Sequence, residues 1–397
     1  MSSASIWSTN EAISEHYPEL IGDVRNSNPL HFNIFGDLVA MDYQNAKRIL
    51  ADTSNFKNFD FKERFNVVSA IAKNDPGLRE FGESLEYWLL FMNGEKHLEH
   101  RRFINQKLNQ TDFEALSIQA TNEIISSLQD KEEVDLVDVS RRFSFLILSR
   151  LIDLEEADYD FIQRFSHVIT LIFEKTLNVR ELMECSAMSK RFHTYLSETL
   201  TRQEREESQG LLMQMKEVMG SSRIKHLIGT WEFLANAATE TTTLLLSKSI
   251  ATLIEHKDLA INWESHNECA MAVEELIRYT SPVNWIPRQI VDDMEYEGFQ
   301  LKKGKTVLVG LASANRDPLV FPNPNTFIPN RKPNPHIGFG FGLHHCLGAR
   351  LSRLELQKFF PRFVSAFPNI RFNPSKSPEW DTKVFFRGYK RLPVLLK

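Results

Sequence analysis

Apolar residues recur at helical spacing over most of residues 85 to 255. Ile224, Leu227, Ile228, Trp231, Leu234, Ala235, Ala238 and Leu245 trace one such pattern, the 3.6-residue period of a helix. The segment is apolar over much of its circumference, so a long helix running through a core is predicted. A second helix is predicted over 268–280, ECAMAVEELIRYT, stopping before Ser281-Pro282 because a residue ahead of proline disfavours helical backbone. The period then shortens. WIPRQIV, MEYEG, FQL and KTVLVG read as short strands separated by Asp-Asp, Gly298 and Lys-Gly.

Near the N-terminus, 30–35 and 38–42 read as a strand pair around Gly36-Asp37, and Tyr43 to Leu50 as a short helix. Residues 315–338 hold six prolines and few apolar residues. A loop of that length inside a compact protein is usually functional. It leads into GFGFGLHHCLGARLSRLEL, where a helix is predicted to start after Cys346. Leu347, Leu351 and Leu354 are its expected buried stripe, and Pro361 is expected to end or kink it. No internal repeat or long linker is visible. The fold class expected is mainly α with a small β region: one domain over 1–397, with β-rich parts near the N-terminus and at 283–310.

Bulk composition narrows the function classes. The 397 residues are 42% hydrophobic, ample for a large core, and the formal net charge is -5. A nucleic-acid binder would carry a basic excess, so none is expected. The first twenty residues lack a basic region followed by an apolar one, and no stretch approaches the roughly 18 apolar residues of a membrane span. A cytoplasmic monomer without membrane contact is the expectation. Cys185, Cys269 and Cys346 are odd in number and widely spaced, which is no disulfide framework and suits a reducing compartment.

The segment Phe339-Gly340-Phe341-Gly342-Leu343-His344-His345-Cys346-Leu347-Gly348 carries the candidate chemistry. Its glycines permit a tight turn and close approach to another group. A cysteine where a helix begins meets unpaired N–H groups and the positive end of the dipole, which favour a thiolate. A thiolate on haem iron favours O–O cleavage. Three other readings stand beside this one: an ordinary buried thiol, a zinc site using His344, His345 and Cys346, and a phosphate loop on Gly338, Gly340 and Gly342. Zinc lacks a second ligand pair nearby. The phosphate loop lacks both the GxGxxG spacing and a preceding strand.

The same segment resembles the haem-binding signature of the cytochrome P450 superfamily, particularly its soluble bacterial members. Phe339, Gly340, Gly342, the basic His344 two before the cysteine, Cys346, and Gly348 two after it occupy the signature positions. Further motifs extend the resemblance over nearly the whole chain. Glu275-Leu276-Ile277-Arg278 resembles the ExxR motif, whose two charged residues share a helix face. The resemblance implies a buried structural network completed by Arg331. His97 and Arg101, one turn apart, are implied to bind the haem propionates together with Arg288 and His344, where carboxylates removed from water want charged donors. Asn93-Gly94-Glu95-Lys96 replaces the family's usual helix start there. Ala237-Ala238-Thr239-Glu240-Thr241-Thr242 resembles the oxygen-activation motif, with Ala238 where the family usually has glycine. Thr241 is implied to hydrogen-bond the oxygen being activated, and Glu240 to deliver protons. Asn315-Arg316-Asp317-Pro318 matches the segment leading to the cysteine loop.

Position by position, the resemblance puts Phe233, Asn236 and Ala237 above the haem, joined by Val283, Asn284 and Trp285, with Phe385 and Phe386 on the far wall. Loops around 60–92 and 160–200 are expected to set specificity. A mainly apolar wall implies a mainly apolar small molecule, such as a natural-product intermediate. The two asparagines suggest a polar substrate group near the oxidised carbon. The implied reaction inserts one oxygen of O2 into a C–H or C=C bond on haem b. Electrons would come from a separate ferredoxin or flavodoxin with its reductase. Lys96, Arg102, Lys107, Arg350, Arg353 and Lys358 would offer the basic surface for that partner. The alternatives are a peroxide-driven or O2-independent haem-thiolate enzyme, which would not need Glu240 and Thr241, and a non-catalytic haem sensor, which would normally carry an output domain.

Overall fold

A computed structural model describes Trp7 and residues 16–59, 76–174 and 178–397. Of the loops expected to set specificity, 60–75 and 175–177 lie outside the described residues. In chain order the longer helices are α1 (Tyr17–Ser27), α2 (Tyr43–Ala51), α3 (Pro76–Leu85), α4 (Gly94–Leu108), α5 (Phe113–Leu128), α6 (Leu136–Ile152), α7 (Tyr159–Thr170), α8 (Val179–Arg205), α9 (Leu211–Met219), α10 (Ile224–Glu255), α11 (His266–Thr280), the short α12 (Leu311–Ala314) and α13 (Ala349–Ala366). The chain forms two compact units. One comprises residues 1–57, 117–140 and 241–397, the other 58–116 and 141–240.

The first unit holds all the described strands. Its largest sheet joins β1 (Leu30–Phe32), β2 (Leu38–Ala40), β8 (Thr306–Gly310), β5 (Trp285–Ile290) and β3 (Phe56–Lys57), in that order. β1 and β2 form the expected antiparallel pair, shorter than the sequence suggested. β8 runs parallel to β2, with Leu38 opposite Val307, and antiparallel to β5, with Trp285 opposite Gly310. Gly310 is needed there because a Cβ would lie 2.9 Å from the Trp285 ring. Smaller ladders pair β6 (Met294–Tyr296) with β7 (Phe299–Leu301), and β4 (Glu133–Asp135) with β12 (Pro393–Leu395). One core packs Leu38, Ile49, Phe56, Val307, Val309 and Phe321; another packs Tyr17, Leu20, Met41, Trp285, Leu308 and Phe385.

Local chemistry sets the helix ends. Asp42 caps α2 by accepting from Asn45 N–H at 2.8 Å. α11 stops where Ser281 turns left-handed ahead of Pro282. In the second unit, Asn178 and Glu181 close a capping box at the start of α8. α4 does start at Gly94, but the Asn93 side chain accepts from Asn58 N–H instead of capping it.

Of the two outcomes expected at Pro361 in α13, an end is ruled out, and the expected buried stripe needs correcting. The helix continues past Pro361 to Ala366. Its buried face is Leu356, Phe359, Phe360 and Phe363, whereas Leu347, Leu351 and Leu354 are only partly buried. The segment carries two apolar stripes, and the one that meets the interior lies further along. Among the described residues, no helix is long and apolar enough to cross a membrane.

Candidate functional site

In the first unit, the strand-free stretch 315–338 is tied down by two guanidiniums and one carboxylate. Glu275 accepts from Arg278 Nε and Nη2 at 2.7 Å each, and Arg331 Nε lies 3.0 Å from both of its oxygens. The spare nitrogens go to loop carbonyls: Arg278 Nη1 to Asn315 and Pro324, Arg331 Nη1 to Pro322. Buried carbonyls without a ladder need such partners, and charged donors are the strong ones. Asn315 adds a bond from Nδ2 to Ser281 Oγ and accepts from Ile337 N–H at 2.8 Å. Tyr43 hydroxyl donates to Pro335 O. The structure thus brings Glu275, Arg278 and Arg331 together.

The fixed loop delivers the cysteine segment. Gly340 and Gly342 have φ of +71° and +77°, a conformation costly for other residues. A Cβ on Gly342 would also lie 2.6 Å from the Leu50 carbonyl of α2. Cys346 N–H donates to Phe339 O at 2.9 Å. His344 sits, partly buried, in a 3-10 turn over 342–344, and Gly348 immediately precedes α13. Cys346 is exposed, while Cys185 and Cys269 are buried. Burial pushes those two thiols up to about 12 and about 11. Phe339 lies under Arg353, whose guanidinium is 4.7 Å from the ring centre. Arg353 also pairs with Glu274. Burial would raise the Glu274 carboxyl, but hydrogen bonds from His336 and Arg353 bring it down to about 2. Arg353 is therefore partly exposed and engaged by both Glu274 and the Phe339 ring.

Arg288, on β5, is 4% exposed. Its described side-chain hydrogen bond goes from Nη1 to Pro287 O, with no carboxylate among the described residues. Burial lowers its pKa to about 10. In the second unit, α4 carries His97 and Arg101 one turn apart. His97 is buried, and burial together with Arg101 lowers its pKa to about 4, so the ring is neutral at physiological pH.

α10 crosses from one unit into the other. Its Ala235, Asn236 and Thr239 are buried, Ala238 is exposed, and Phe233, Ala237, Glu240 and Thr241 are partly buried. Asn236 faces α7: its Nδ2 donates to Ser166 O and Thr170 Oγ1, both at 2.9 Å. Thr239 Oγ1 donates to Ser166 Oγ at 2.6 Å. The Asn236 amide N–H groups expected to meet substrate are spent on a neighbouring helix.

The other expected substrate contacts also change. Asn284 Nδ2 donates to Val384 O at 3.2 Å. Trp285 points into the core, its Nε1 donating to Tyr17 hydroxyl at 2.8 Å and its ring centre 4.8 Å from that of Trp7, tilted by 38°. Phe385 packs in that same core, whereas Phe386 and Val283 stay partly buried at the margins of the cores. Strand alternation explains Trp285, since a side chain facing one layer cannot also face a pocket on the other.

Sequence reasoning missed Glu232. This fully buried carboxylate of the second unit accepts from Ser84 Oγ at 2.7 Å and Trp88 Nε1 at 3.1 Å, with His193 Nε2 at 3.1 Å. An acid inside the apolar run Trp231–Leu234 was the available signal. A cavity of about 870 Å³ opens beside His193 between α3 and α8, and none of the expected site residues lines it.

The family profile described as Cytochrome P450 matches residues 269–384. The polyketide biosynthesis cytochrome P450 PksS of Bacillus subtilis is 30% identical, over 90% of this chain and 86% of its own length. The mycinamicin IV hydroxylase/epoxidase of Micromonospora griseorubida is 28% identical, over 89% and 88%. The fold matches a crystal structure of P450BioI in complex with a hexadec-9Z-enoic acid ligated acyl carrier protein: TM-score 0.85, 22% identity, 98% of this chain and 99% of that one. The chain belongs to the cytochrome P450 superfamily of haem-iron monooxygenases.

Proposed function

We propose that Cys346 is the thiolate ligand of haem b and that residues 1–397 act as one catalytic domain. The observation that carries this is an exposed cysteine thiol on a loop fixed by the Glu275 network, with the chain's other two cysteines buried. The remaining residues fit the same group. Arg288 is a buried cation with no carboxylate partner among the described residues, and a propionate would supply one. His97, Arg101 and His344 would be the further propionate donors, and Phe339, Gly340, Gly348 and Ala237 would contribute to holding the group. Haem when bound supplies activation of O2 with two electrons from a reduced partner.

The chain's own groups do the rest. Cys346 would hold the haem through its thiolate, Thr241 would offer a hydroxyl for hydrogen bonding to the oxygen substrate, and Glu240 would relay protons. The reaction is hydroxylation or epoxidation of a mainly apolar small molecule, and the polyketide and mycinamicin names of the relatives support a natural-product intermediate. A ferredoxin or flavodoxin is the proposed electron donor, meeting the exposed Lys96, Arg102 and Arg350; raised salt would then slow electron transfer.

Reduced protein with carbon monoxide tests the ligand. Wild type gives a thiolate-type Soret band and Cys346→Ala loses it. Retention of that band in the variant would remove Cys346 from the role.

A further inference from the structure

Residues 384–388 form an irregular turn held through its carbonyls. Asn284 takes two of them, Nδ2 donating to Val384 O at 3.2 Å and the backbone N–H to Phe385 O at 2.9 Å. Asp381 N–H donates to Gly388 O at 2.8 Å. The Arg387 carbonyl accepts from Lys248 Nζ, 3.4 Å away on α10. Lys248 also donates to Thr280 O, at the last residue of α11. One amine thereby ties the turn to two helices. Gly388 permits the approach, because a Cβ there would overlap Leu244 Cδ2 and lie 3.9 Å from Lys248 Cδ.

Of the two side chains with a described bond to the turn's carbonyls, Asn284 and Lys248, Lys248 is the one that titrates. Asn284 donates at every pH. The charged groups facing Lys248 are Arg316, in the stretch after α12, and Arg387 in the turn; α11 presents the Thr280 carbonyl. No carboxylate among the described residues pairs with it. Burial, then Arg316 and Arg387, push its ammonium down to about 7. A lysine there changes charge across the physiological range, and a charged donor binds a carbonyl more strongly than a neutral one.

We propose that Lys248 is a positioning residue whose charge state sets how closely the 384–388 turn is drawn onto α10 and α11, and through Phe386 the shape of the substrate wall. This rests on the haem-enzyme reading above. The step is a proton exchange with solvent alone: Lys248 gains or loses one proton and no other bond forms or breaks.

The test compares wild type with Lys248→Met, of similar length and uncharged, and Lys248→Arg, always charged, at about pH 6 and about pH 9, either side of the shifted lysine. Hydrogen–deuterium exchange is read on the peptide covering 381–390, each variant against wild type at the same pH. Affinities for 4-phenylimidazole and imidazole are read from the Soret shift, the phenyl ring reporting the wall and imidazole serving as control. Lys248→Met should differ from wild type at the low pH, by about threefold in the affinity ratio with faster exchange, and match it at the high pH. Lys248→Arg should do the reverse. A difference that is absent, or the same at both pH values, overturns the proposal, since a role in packing alone would not follow charge. If Lys248→Met does not fold, wild type against Lys248→Arg decides. If neither imidazole moves the Soret band, the haem reading fails, and the exchange measurement still decides the role of Lys248.

Discussion

Glu275 grips Arg278 through both fork nitrogens at 2.7 Å, and neither side chain has any exposed surface. Arg331 adds a second guanidinium to the same carboxylate. Removing the acid strands two buried cations. Glu275→Ala should lose about 3–5 kcal/mol of stability and much of its bound haem, read by urea unfolding and by the haem-to-protein absorbance ratio. Arg278→Lys, which keeps the charge and loses the fork, should be damaged nearly as much. An unchanged unfolding midpoint in Glu275→Ala would contradict the picture.

Gly342 lies in the left-handed region with the Leu50 carbonyl 2.6 Å from where a Cβ would be. Backbone carbonyl cannot rotate away as a side chain can. Gly342→Ala should therefore cost about 2 kcal/mol or more and lower haem retention. Gly298, equally left-handed with open space around it, is the control: Gly298→Ala should cost stability through backbone strain alone and leave haem retention unchanged.

Asn236 is a strut between α10 and α7. Asn236→Ala should destabilise by about 1–3 kcal/mol, because Thr170 Oγ1 loses the Asn236 donor and Ser166 O keeps only that of Thr170. Substrate affinity, measured by spectral titration, should stay near wild type. A large loss of affinity with unchanged stability would return the residue to the substrate.

His100 is buried against Thr230, His226 and His97. Burial first, then His226 and His97, lower its pKa to about 4 from 6.5. The folded protein consequently binds fewer protons than the unfolded chain between those values, so stability falls as pH drops from about 6.5 toward 4. His100→Gln should flatten part of that loss in denaturant titrations across the window. An acid profile identical to wild type would show that His100 does not contribute.

Features governed by neighbours in sequence were legible beforehand. The Ser281-Pro282 stop, the period-2 strands after it, and the helix beginning beside Asp42 all appear within a residue or two of expectation. The Glu275–Arg278 spacing placed both charges on one face. What eluded the sequence depends on partners far along the chain. Asn236 looked like a ligand contact because its acceptors sit 66 and 70 residues earlier. Trp285 looked like a pocket residue because Tyr17, 268 residues away, takes its N–H. On α13 two stripes were available, and only packing chose Phe359 and Phe363 over Leu351 and Leu354. Glu232 and Lys248 drew no expectation, since their partners lie far along the chain: Ser84 and Trp88 for one, Thr280 and Arg387 for the other.

The Gly342–Leu50 approach also has a temporal side. Tyr43 of the same helix donates its backbone N–H to Asp317 and its hydroxyl to Pro335, 292 residues downstream. A growing chain makes α2 early and must wait 292 residues for the loop it braces. Contacts of such separation form slowly. The cysteine cradle is thus slow to settle, and the nascent chain is unready for haem until that distant loop has been made and docked.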